Sequence, residues 1–207
     1  MITVLIVEDS AISKDFLERQ LSLSPDYCIL ASIENAANAE IACMRSKIDL
    51  ILMDICTADD ESGLLAAEKI KRLYTKIRII MMTSMPEYSF IEKARSCGCD
   101  GFWYKEASSI SLLEICDRVM KGERIYPDHS PIIKIGLASS SEFTDRELAV
   151  IRELTGGGSY EEIAETLHMS TNTVKYHVKN ILQKTGFRTT MRLVAEVVEK
   201  LLVLPKY

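Results

Sequence analysis

The sequence predicts an α/β domain, with a doubly wound, five-stranded parallel sheet, followed by a smaller all-α domain of four helices. Three observations predict this fold class. In the first 122 residues, short apolar runs alternate with stretches of helical period. From residue 142 onward, pairs of residues that cap helix starts precede amphipathic stretches. The length of 207 residues is also that expected of two compact domains.

The apolar runs of the first part are continuous rather than alternating, which is typical of strands that are covered on both faces. The strands are predicted at residues 2–7, 28–33, 50–53, 78–82 and 102–104. The intervening helices are predicted at residues 12–23, 36–45, 62–73, 88–97 and 110–121. The order of these elements favours a parallel sheet with helices on both sides.

Polar side chains directly follow four of the five strands. They are Glu8, Asp9, Asp54, Thr83 and Lys105. Since chemistry in a parallel sheet belongs at the carboxyl ends of its strands, we expect these groups to converge. Three crowded carboxylates repel one another unless a cation neutralises them, and oxygen ligands suit Mg²⁺. One carboxylate could then attack a phosphoryl group, while the ammonium and the hydroxyl stabilise its oxygens. The alternative for any single carboxylate is a helix cap.

This constellation resembles the receiver domain of bacterial response regulators, a flavodoxin-like fold, over residues 1–122. The resemblance implies that Asp54 accepts a phosphoryl group from a histidine kinase. It implies that Thr83 and Lys105 contact the phosphoryl oxygens, and that Phe102 is an aromatic switch residue, for which plain sheet core is the alternative. The Mg²⁺ ligands implied by the resemblance are Glu8, Asp9, Asp54 and the backbone carbonyl of Cys56.

The loop after Asp54 departs from the receiver pattern. Before the downstream Gly63 it lacks the usual proline and contains one extra residue. It also adds Asp59, Asp60 and Glu61. These acids could strengthen cation binding or cap the next helix at its N-terminus, and we favour the cap.

A helix-turn-helix pattern occupies residues 159–182. Ser159 and Glu162 form a capping box for its first helix, and Ser170 can cap its second. His168 is expected to adopt positive φ in the turn between them. No carboxylate occurs between residues 165 and 196, whereas five basic residues do: Lys175, Lys179, Lys184, Arg188 and Arg192. This pattern indicates a helix that enters a DNA groove, the alternative being a solvated basic face.

The pattern from residue 142 to 202 resembles the LuxR/FixJ-type DNA-binding domain, in which four helices follow one another. A capping box of Thr144 and Glu147 opens the first helix. The resemblance implies that the third helix reads the major groove and that the last helix pairs protomers. The expected DNA-binding residues are Thr171, Asn172, Thr173, Lys175, Tyr176, Lys179, Lys184 and Arg188. The expected dimerisation residues, with ordinary core as the alternative, are Val194, Val197, Val198 and Leu201.

Charge is distributed unevenly along the chain. The formal net charge is −5, yet acidic and basic residues balance at nine each from residue 142 onward, so the negative excess lies in the first part. Residues 123–141, rich in Pro and Ser, are predicted to be a linker between domains 1–122 and 142–207. All six cysteines lie in the first part without a secretory signal, which favours reduced thiols in the cytoplasm. No apolar stretch is long enough to span a membrane.

Together the two domains resemble a response regulator of the NarL/FixJ group, a transcription regulator controlled by phosphorylation rather than an enzyme. The expected partners are double-stranded DNA, a sensor histidine kinase and a second copy of the chain when phosphorylated, with RNA polymerase as a further candidate. Two alternatives remain at this point. One is a receiver that works without phosphorylation as a dimerisation or sensing module. The other is an acidic-cluster phosphohydrolase. Phosphatases of the haloacid-dehalogenase type use a second Asp, two residues after the nucleophile, as acid and base. Cys56 occupies that position here, which argues against turnover.

Overall fold

The computed structural model describes residues 1–203, so the last four residues of the predicted second domain lie outside the described residues. The chain forms two compact units. The first comprises Met1–Ser84 and Ser89–His129, and the second comprises Met85–Tyr88 and the residues from Ser130 onward. Within the described residues, no helix combines the length and the apolar character that crossing a membrane requires.

The first unit contains the predicted parallel sheet with helices, which confirms the fold class. Its strands are β1 (Ile2–Val7), β2 (Tyr27–Ile33), β3 (Leu50–Asp54), β4 (Arg78–Thr83) and β5 (Gly101–Tyr104). Its helices are α1 (Ala11–Ser22), α2 (Ala37–Arg45), α3 (Gly63–Leu73), α4 (Phe90–Ser96) and α5 (Leu112–Met120). The strands pair in parallel in the order β2-β1-β3-β4-β5. The carboxyl ends of β1, β3, β4 and β5 therefore lie along one edge of the sheet.

The sheet is covered on both faces because its strands are apolar at successive positions. Alternate side chains such as Val4, Ile6 and Leu52 join residues of α1 and α5 in one buried cluster. Their neighbours Leu5 and Ile51 are equally buried and point to the opposite face. With no polar face to place in solvent, β3 and β4 can only be internal strands, and this position fixes Asp54 and Thr83 at the middle of the edge.

The second unit is helical apart from one small hairpin. Its elements are β6 (Lys134–Ile135), β7 (Ala138–Ser139), α6 (Asp145–Thr155), α7 (Tyr160–Thr166), α8 (Thr171–Thr185) and α9 (Thr190–Glu199). The predicted capping boxes at Thr144 and Ser159 are both present, and Ser170 caps α8 by accepting from Thr173 N. His168 adopts a φ of 52° in the turn between α7 and α8, as the sequence predicts.

The hairpin of β6 and β7 lies in the stretch that the sequence analysis assigns to the linker. Ile135 is fully buried in the core of the second unit. Leu137 N donates to Thr185 O at 2.9 Å, and Gly136 N donates to Glu196 Oε1 at 2.9 Å. Residues 130–141 thus belong to the second unit, which corrects the predicted linker. The partners of this segment lie near the ends of α8 and α9, far along the chain, so the local sequence does not reveal them.

Candidate functional site

Asp54 is the last residue of β3 and is 8% exposed at the carboxyl edge of the sheet. Its Oδ1 accepts a hydrogen bond from Ile55 N at 2.9 Å. Its Oδ2 lies 3.1 Å from Nζ of Lys105. One carboxylate oxygen is therefore fixed by the backbone, and the other faces the ammonium group.

Two further carboxylates come from the residues that follow β1. Glu8 is fully buried, and its Oε1 accepts from Ser10 N at 3.1 Å, whereas Asp9 is exposed. Carboxylate oxygens of Glu8, Asp9 and Asp54 all lie within 4.8 Å of one another. The structure thus brings together the three acids that the sequence predicts to converge.

The remaining two groups of the predicted site follow β4 and β5. Lys105 places Nζ 2.5 Å from Glu8 Oε2, in addition to its contact with Asp54. Lys105 N donates to Thr83 O at 3.0 Å, so the two residues are adjacent across the ends of neighbouring strands. Thr83 is buried and ends β4. All five predicted side chains therefore lie at the same edge of the sheet.

Burial and neighbouring charges shift the pKa values of Asp54 and Lys105. Burial first, and then the charge of Glu8, raises the pKa of Asp54 to about 7, although Lys105 acts in the opposite direction. Burial alone would lower the pKa of Lys105, but the two carboxylates outweigh it and hold that pKa above its ordinary value. The ammonium remains charged, whereas the Asp54 carboxylate needs more positive charge nearby to be fully ionised at neutral pH.

The cluster fits a divalent cation with a preference for oxygen. Among residues 1–203, three carboxylates meet one ammonium group here, so the charges of the cluster do not balance. Glu8 Oε2 is buried and, despite its short contact with Lys105, accepts no hydrogen bond of good geometry in the described structure. The ammonium of Lys105, which this oxygen shares with Asp54, offsets only part of the cost of burying these carboxylates. A hard cation such as Mg²⁺ would supply further positive charge.

The acids of the loop after Asp54 do not cap the next helix. The side-chain cap of α3 is Ser62, which accepts from Leu65 N. Asp59 instead accepts a hydrogen bond from Asn35 Nδ2 at 2.9 Å. The favoured prediction that these acids cap α3 is therefore wrong, because Ser62, directly before the helix, is the capping residue.

A second candidate site lies on α8 in the helical unit. Val174, Val178 and Ile181 are buried on one side of α8. The exposed side carries Asn172, Lys175, Tyr176 and Lys179, which recur at intervals of three and four residues and thus share one face. Thr173 is exposed nearby at the start of the helix, where Thr171 is half-buried. The exposed face combines positive charge, amide and phenol groups, which suits phosphates and base edges.

The two sites are found together in known proteins. Residues 4–117 match the family described as "Response regulator receiver domain", and residues 141–197 match "Bacterial regulatory proteins, luxR family". The chain belongs to the response regulators. Its second domain is of the LuxR type, so the class is that of DNA-binding regulators controlled by phosphorylation.

Similar proteins support the same architecture over most of the chain. The response regulator protein VraR of Staphylococcus epidermidis is 29% identical over 188 residues, covering 88% of this chain and 90% of VraR. A structure of the RcsB response regulator of Salmonella typhimurium has a TM-score of 0.61 at 18% identity, covering 96% of this chain and all of that one. The structure of an RcsB–DNA complex has a TM-score of 0.64 at 17% identity, covering 95% of this chain and 98% of the RcsB chain. The two structural likenesses show the shared fold.

Within this response regulator, three predicted residues have environments that bear on their roles. Phe102 is buried, with its ring centroid 4.9 Å from that of Tyr104, so in this structure it is part of the core, and its switch role stays a prediction. Burial and the charges of Asp54 and Asp9 raise the pKa of the Cys56 thiol, which therefore stays protonated. Lys184 Nζ contacts Glu147 Oε2 at 2.7 Å and the Glu142 carbonyl at 2.8 Å, which favours a structural role over the predicted DNA contact.

The predicted dimerisation residues of α9 divide between core and surface. Val197 is fully buried in the core of the LuxR-type domain, so its assignment to an interface is wrong. Val194 is half-buried, while Val198 and Leu201 are exposed. Met191, which sequence reasoning did not name, is 82% exposed and lies seven residues before Val198, on the same helix face. A heptad spacing of apolar residues was the available signal.

Gly63 is a second residue whose role the sequence analysis did not state. It begins α3, and its backbone approaches β3 so closely that a Cβ atom there would lie 1.9 Å from the Asp54 carbonyl oxygen. Gly63 N also donates to Ile55 O at 2.9 Å. Only glycine permits this approach, which holds the start of α3 against Asp54.

Proposed function

We propose that Asp54 accepts a phosphoryl group from a sensor histidine kinase and that this modification controls DNA binding by α8. The observation that supports it most is the convergence of three carboxylates and one ammonium group at the sheet edge of a chain that also carries an exposed basic recognition face. Unbalanced buried charge is costly to a fold, so sheet stability does not account for an acidic pocket of this composition.

The chain's own residues suit this transfer. An Asp54 oxygen forms the new bond to phosphorus while the bond from phosphorus to the donor imidazole nitrogen breaks, and a proton returns to that imidazole. Lys105 is placed to neutralise charge on the phosphoryl oxygens, and the Thr83 hydroxyl is at the adjacent strand end. Mg²⁺ would be held by Glu8, Asp9, Asp54 and the Cys56 carbonyl, and when bound it supplies charge stabilisation for the phosphoryl oxygens.

Phosphorylation would act by population shift. The phosphoryl group adds roughly one and a half to two negative charges, and it can shift the domain only to the extent that Thr83 and Lys105 engage it better in one state. The proposed output is a homodimer that places two α8 helices in successive major grooves of an inverted repeat. In that complex Lys175 and Lys179 would reach base edges, and Arg188 would contact phosphate. The free cysteines suit the reducing cytoplasm in which we place this cycle.

The test uses acetyl phosphate as the donor and the mass of the intact protein as readout. The wild type should gain one phosphoryl group with Mg²⁺ and none when the metal is chelated. Asp54→Asn should not be labelled, whereas the control Asp15→Asn, on the exposed surface of α1, should behave as wild type. Undiminished labelling of Asp54→Asn would show that Asp54 is not the phosphoryl acceptor. Steady release of inorganic phosphate in excess of the protein would favour a phosphohydrolase instead, against which Cys56 argues because a thiol that stays protonated cannot serve as a general base.

The regulatory half of the proposal has its own test. Beryllofluoride with Mg²⁺ mimics the phosphoryl group and should increase both dimer content and DNA affinity in the wild type. If DNA binding and oligomeric state are the same with and without beryllofluoride, although Asp54 is labelled, the receiver works independently of phosphorylation.

A further inference from the structure

The segment between Asp54 and α3 is held in an unusual backbone conformation. Asp59 has φ of 62° and Asp60 has φ of 57°, and two consecutive left-handed residues other than glycine are rare. Such a conformation persists only where surrounding contacts over-determine it. The contacts that impose it here come from Thr57 and from the loop between β2 and α2.

Thr57 closes the segment upon itself and attaches it to α2. Its side chain is buried, and its hydroxyl donates to Glu61 O at 2.8 Å while accepting from Ala36 N at 3.0 Å. Thr57 N also donates to Glu61 O at 3.2 Å. Because a peptide unit is planar, the bond made by Thr57 N fixes the plane that also contains the Cys56 carbonyl. The Thr57 hydroxyl donates to the same Glu61 O, so it holds the acceptor of that backbone bond and thereby the direction of the backbone oxygen that we propose as a metal ligand.

Asn35 attaches the outer part of the same segment. Its Nδ2 donates to Ala58 O at 3.1 Å and to Asp59 Oδ2 at 2.9 Å. Its Oδ1 accepts from Ala37 N at 2.8 Å, which orients the amide. Ala58 N completes the attachment by donating to Glu34 O at 3.0 Å. The hydrogen bonds of Asn35 and Thr57 thus join the loop after the acceptor to the loop before α2.

We infer that Thr57 and Asn35 are positioning residues for the metal-dependent phosphoryl transfer, since they hold the Cys56 carbonyl and the acidic segment in place beside Asp54. The inference rests on the proposed function. The loop after Asp54 lacks the usual proline, and the hydrogen bonds of Thr57 restrain its backbone instead. Both side chains bond to groups of the loop after Asp54 and the loop before α2, so they would act through the metal site rather than on the phosphoryl group.

The first test measures Mg²⁺ affinity by calorimetry in the full-length protein without phosphodonor. Thr57→Val keeps the shape of the side chain and removes both hydroxyl hydrogen bonds, and it should weaken Mg²⁺ binding about tenfold, as loss of a residue that orients a metal ligand does. Thr57→Ser restores the hydroxyl and should bind within about twofold of wild type. Thr185→Val is the matched control, because the Thr185 hydroxyl is also buried but bonds to Ile181 O within α8.

The second test separates metal binding from transfer. With acetyl phosphate, Thr57→Val should need more Mg²⁺ for half-maximal labelling but reach nearly the wild-type rate at saturating Mg²⁺. A purely structural role would lower the amount of folded protein and the maximal rate together. Thermal unfolding without metal establishes that the variant is folded under the conditions used.

The third test uses Asn35→Ala, with the exposed Asn38→Ala as control. Asn35→Ala should weaken Mg²⁺ binding in the same direction, and the double variant with Thr57→Val should show less than the sum of the two effects, because both restrain one segment. If Thr57→Val does not fold, Asn35→Ala alone decides. Wild-type Mg²⁺ affinity in folded Thr57→Val and Asn35→Ala would overturn the inference, whereas absence of Mg²⁺ binding or labelling in the wild type would overturn the proposed function itself.

Discussion

The ammonium group of Lys184 lies 2.7 Å from Oε2 of Glu147, across 37 residues of sequence, and joins the end of α8 to the start of α6. Glu147 is buried, and the same Oε2 accepts from Thr144 N at 2.8 Å in the capping box of α6. The ion pair and the cap thus share one carboxylate. This pairing orients the helix that carries the proposed recognition face.

Lys184→Met should destabilise the LuxR-type domain by about 1–3 kcal/mol, because it leaves the buried Glu147 carboxylate without its cationic partner. Unfolding by urea, followed by circular dichroism, measures this. Lys179→Met is the matched control, since Lys179 is exposed on the same helix, and it should change stability by less than about 0.5 kcal/mol. Equal stability of the two variants would show that the pair contributes nothing.

The same ion pair predicts how the stability depends on pH. Burial would raise the pKa of Glu147, but its hydrogen bond with Lys184 and its capping bonds lower it below the ordinary value of 4.5. A depressed pKa contributes stability that is present above pH 4.5 and is lost as the pH falls through the folded-state value. The difference in stability between wild type and Lys184→Met should therefore shrink below pH 4.5. A constant difference down to pH 3 would contradict this assignment.

Gly63→Ala should destabilise the receiver domain by about 1–3 kcal/mol, because its Cβ would overlap the Asp54 carbonyl. Labelling of Asp54 by acetyl phosphate should fall as well, since the clash falls on Asp54, the proposed acceptor, itself. Gly156→Ala is the control, because its Cβ would meet neighbours at ordinary contact distance. A Gly63→Ala protein with wild-type melting temperature and labelling would show that α3 can move away from β3 without consequence.

What the sequence could predict depends on whether the signal is local. The five strands, the capping boxes and the positive φ of His168 follow from neighbouring residues, and the convergence of Asp54 with Lys105 follows from strand order alone. Roles that depend on distant partners were missed or misassigned. Lys184 looks like any basic residue on a helix until Glu147 is placed beside it.

The same limit explains the two errors in the helical part. The apolar run around Ile135 resembles a linker patch because its partners, at the ends of α8 and α9, are about 50 to 60 residues away in sequence. Val197 and Val198 are chemically identical in sequence, and only the packed helix shows that Val197 faces the core and Val198 does not.

Thr83→Ala should separate phosphorylation from its consequence. The hydroxyl is not needed to form the acyl phosphate, so labelling of Asp54 should persist. Moving a regulator from mostly inactive to mostly active requires about 5.5 kcal/mol of differential stabilisation, and loss of the hydroxyl should remove part of it. The gain in DNA affinity on phosphorylation, measured by fluorescence anisotropy, should fall in Thr83→Ala and return in Thr83→Ser. A full response in the alanine variant would show that coupling does not pass through Thr83.

Val198→Glu should prevent dimer formation, since it places a charge on the exposed apolar face of α9 that also carries Met191. Analytical ultracentrifugation with beryllofluoride and Mg²⁺ measures this. Val197 is core, so Val197→Glu should instead unfold the domain, while Glu199→Gln should behave as wild type in both respects. If Val198→Glu still dimerises, the interface lies elsewhere on the chain.

Arg188 and Lys179 should affect DNA binding in different ways. If a dimer neutralises about six to eight phosphates, the slope of log affinity against log salt should be near −5 to −7. Arg188 is exposed beyond α8, so Arg188→Ala should weaken binding to every sequence and reduce the slope by about 2 for the two protomers. Lys179 lies on the face of α8 opposite the core, and Lys179→Ala should chiefly reduce the ratio of specific to random DNA affinity.

Because the ammonium of Lys184 is held by Glu147, Lys184→Met should leave the salt slope unchanged wherever the domain stays folded. A reduced slope in Lys184→Met, with Arg188→Ala unaffected, would reverse the assignment of the phosphate contact.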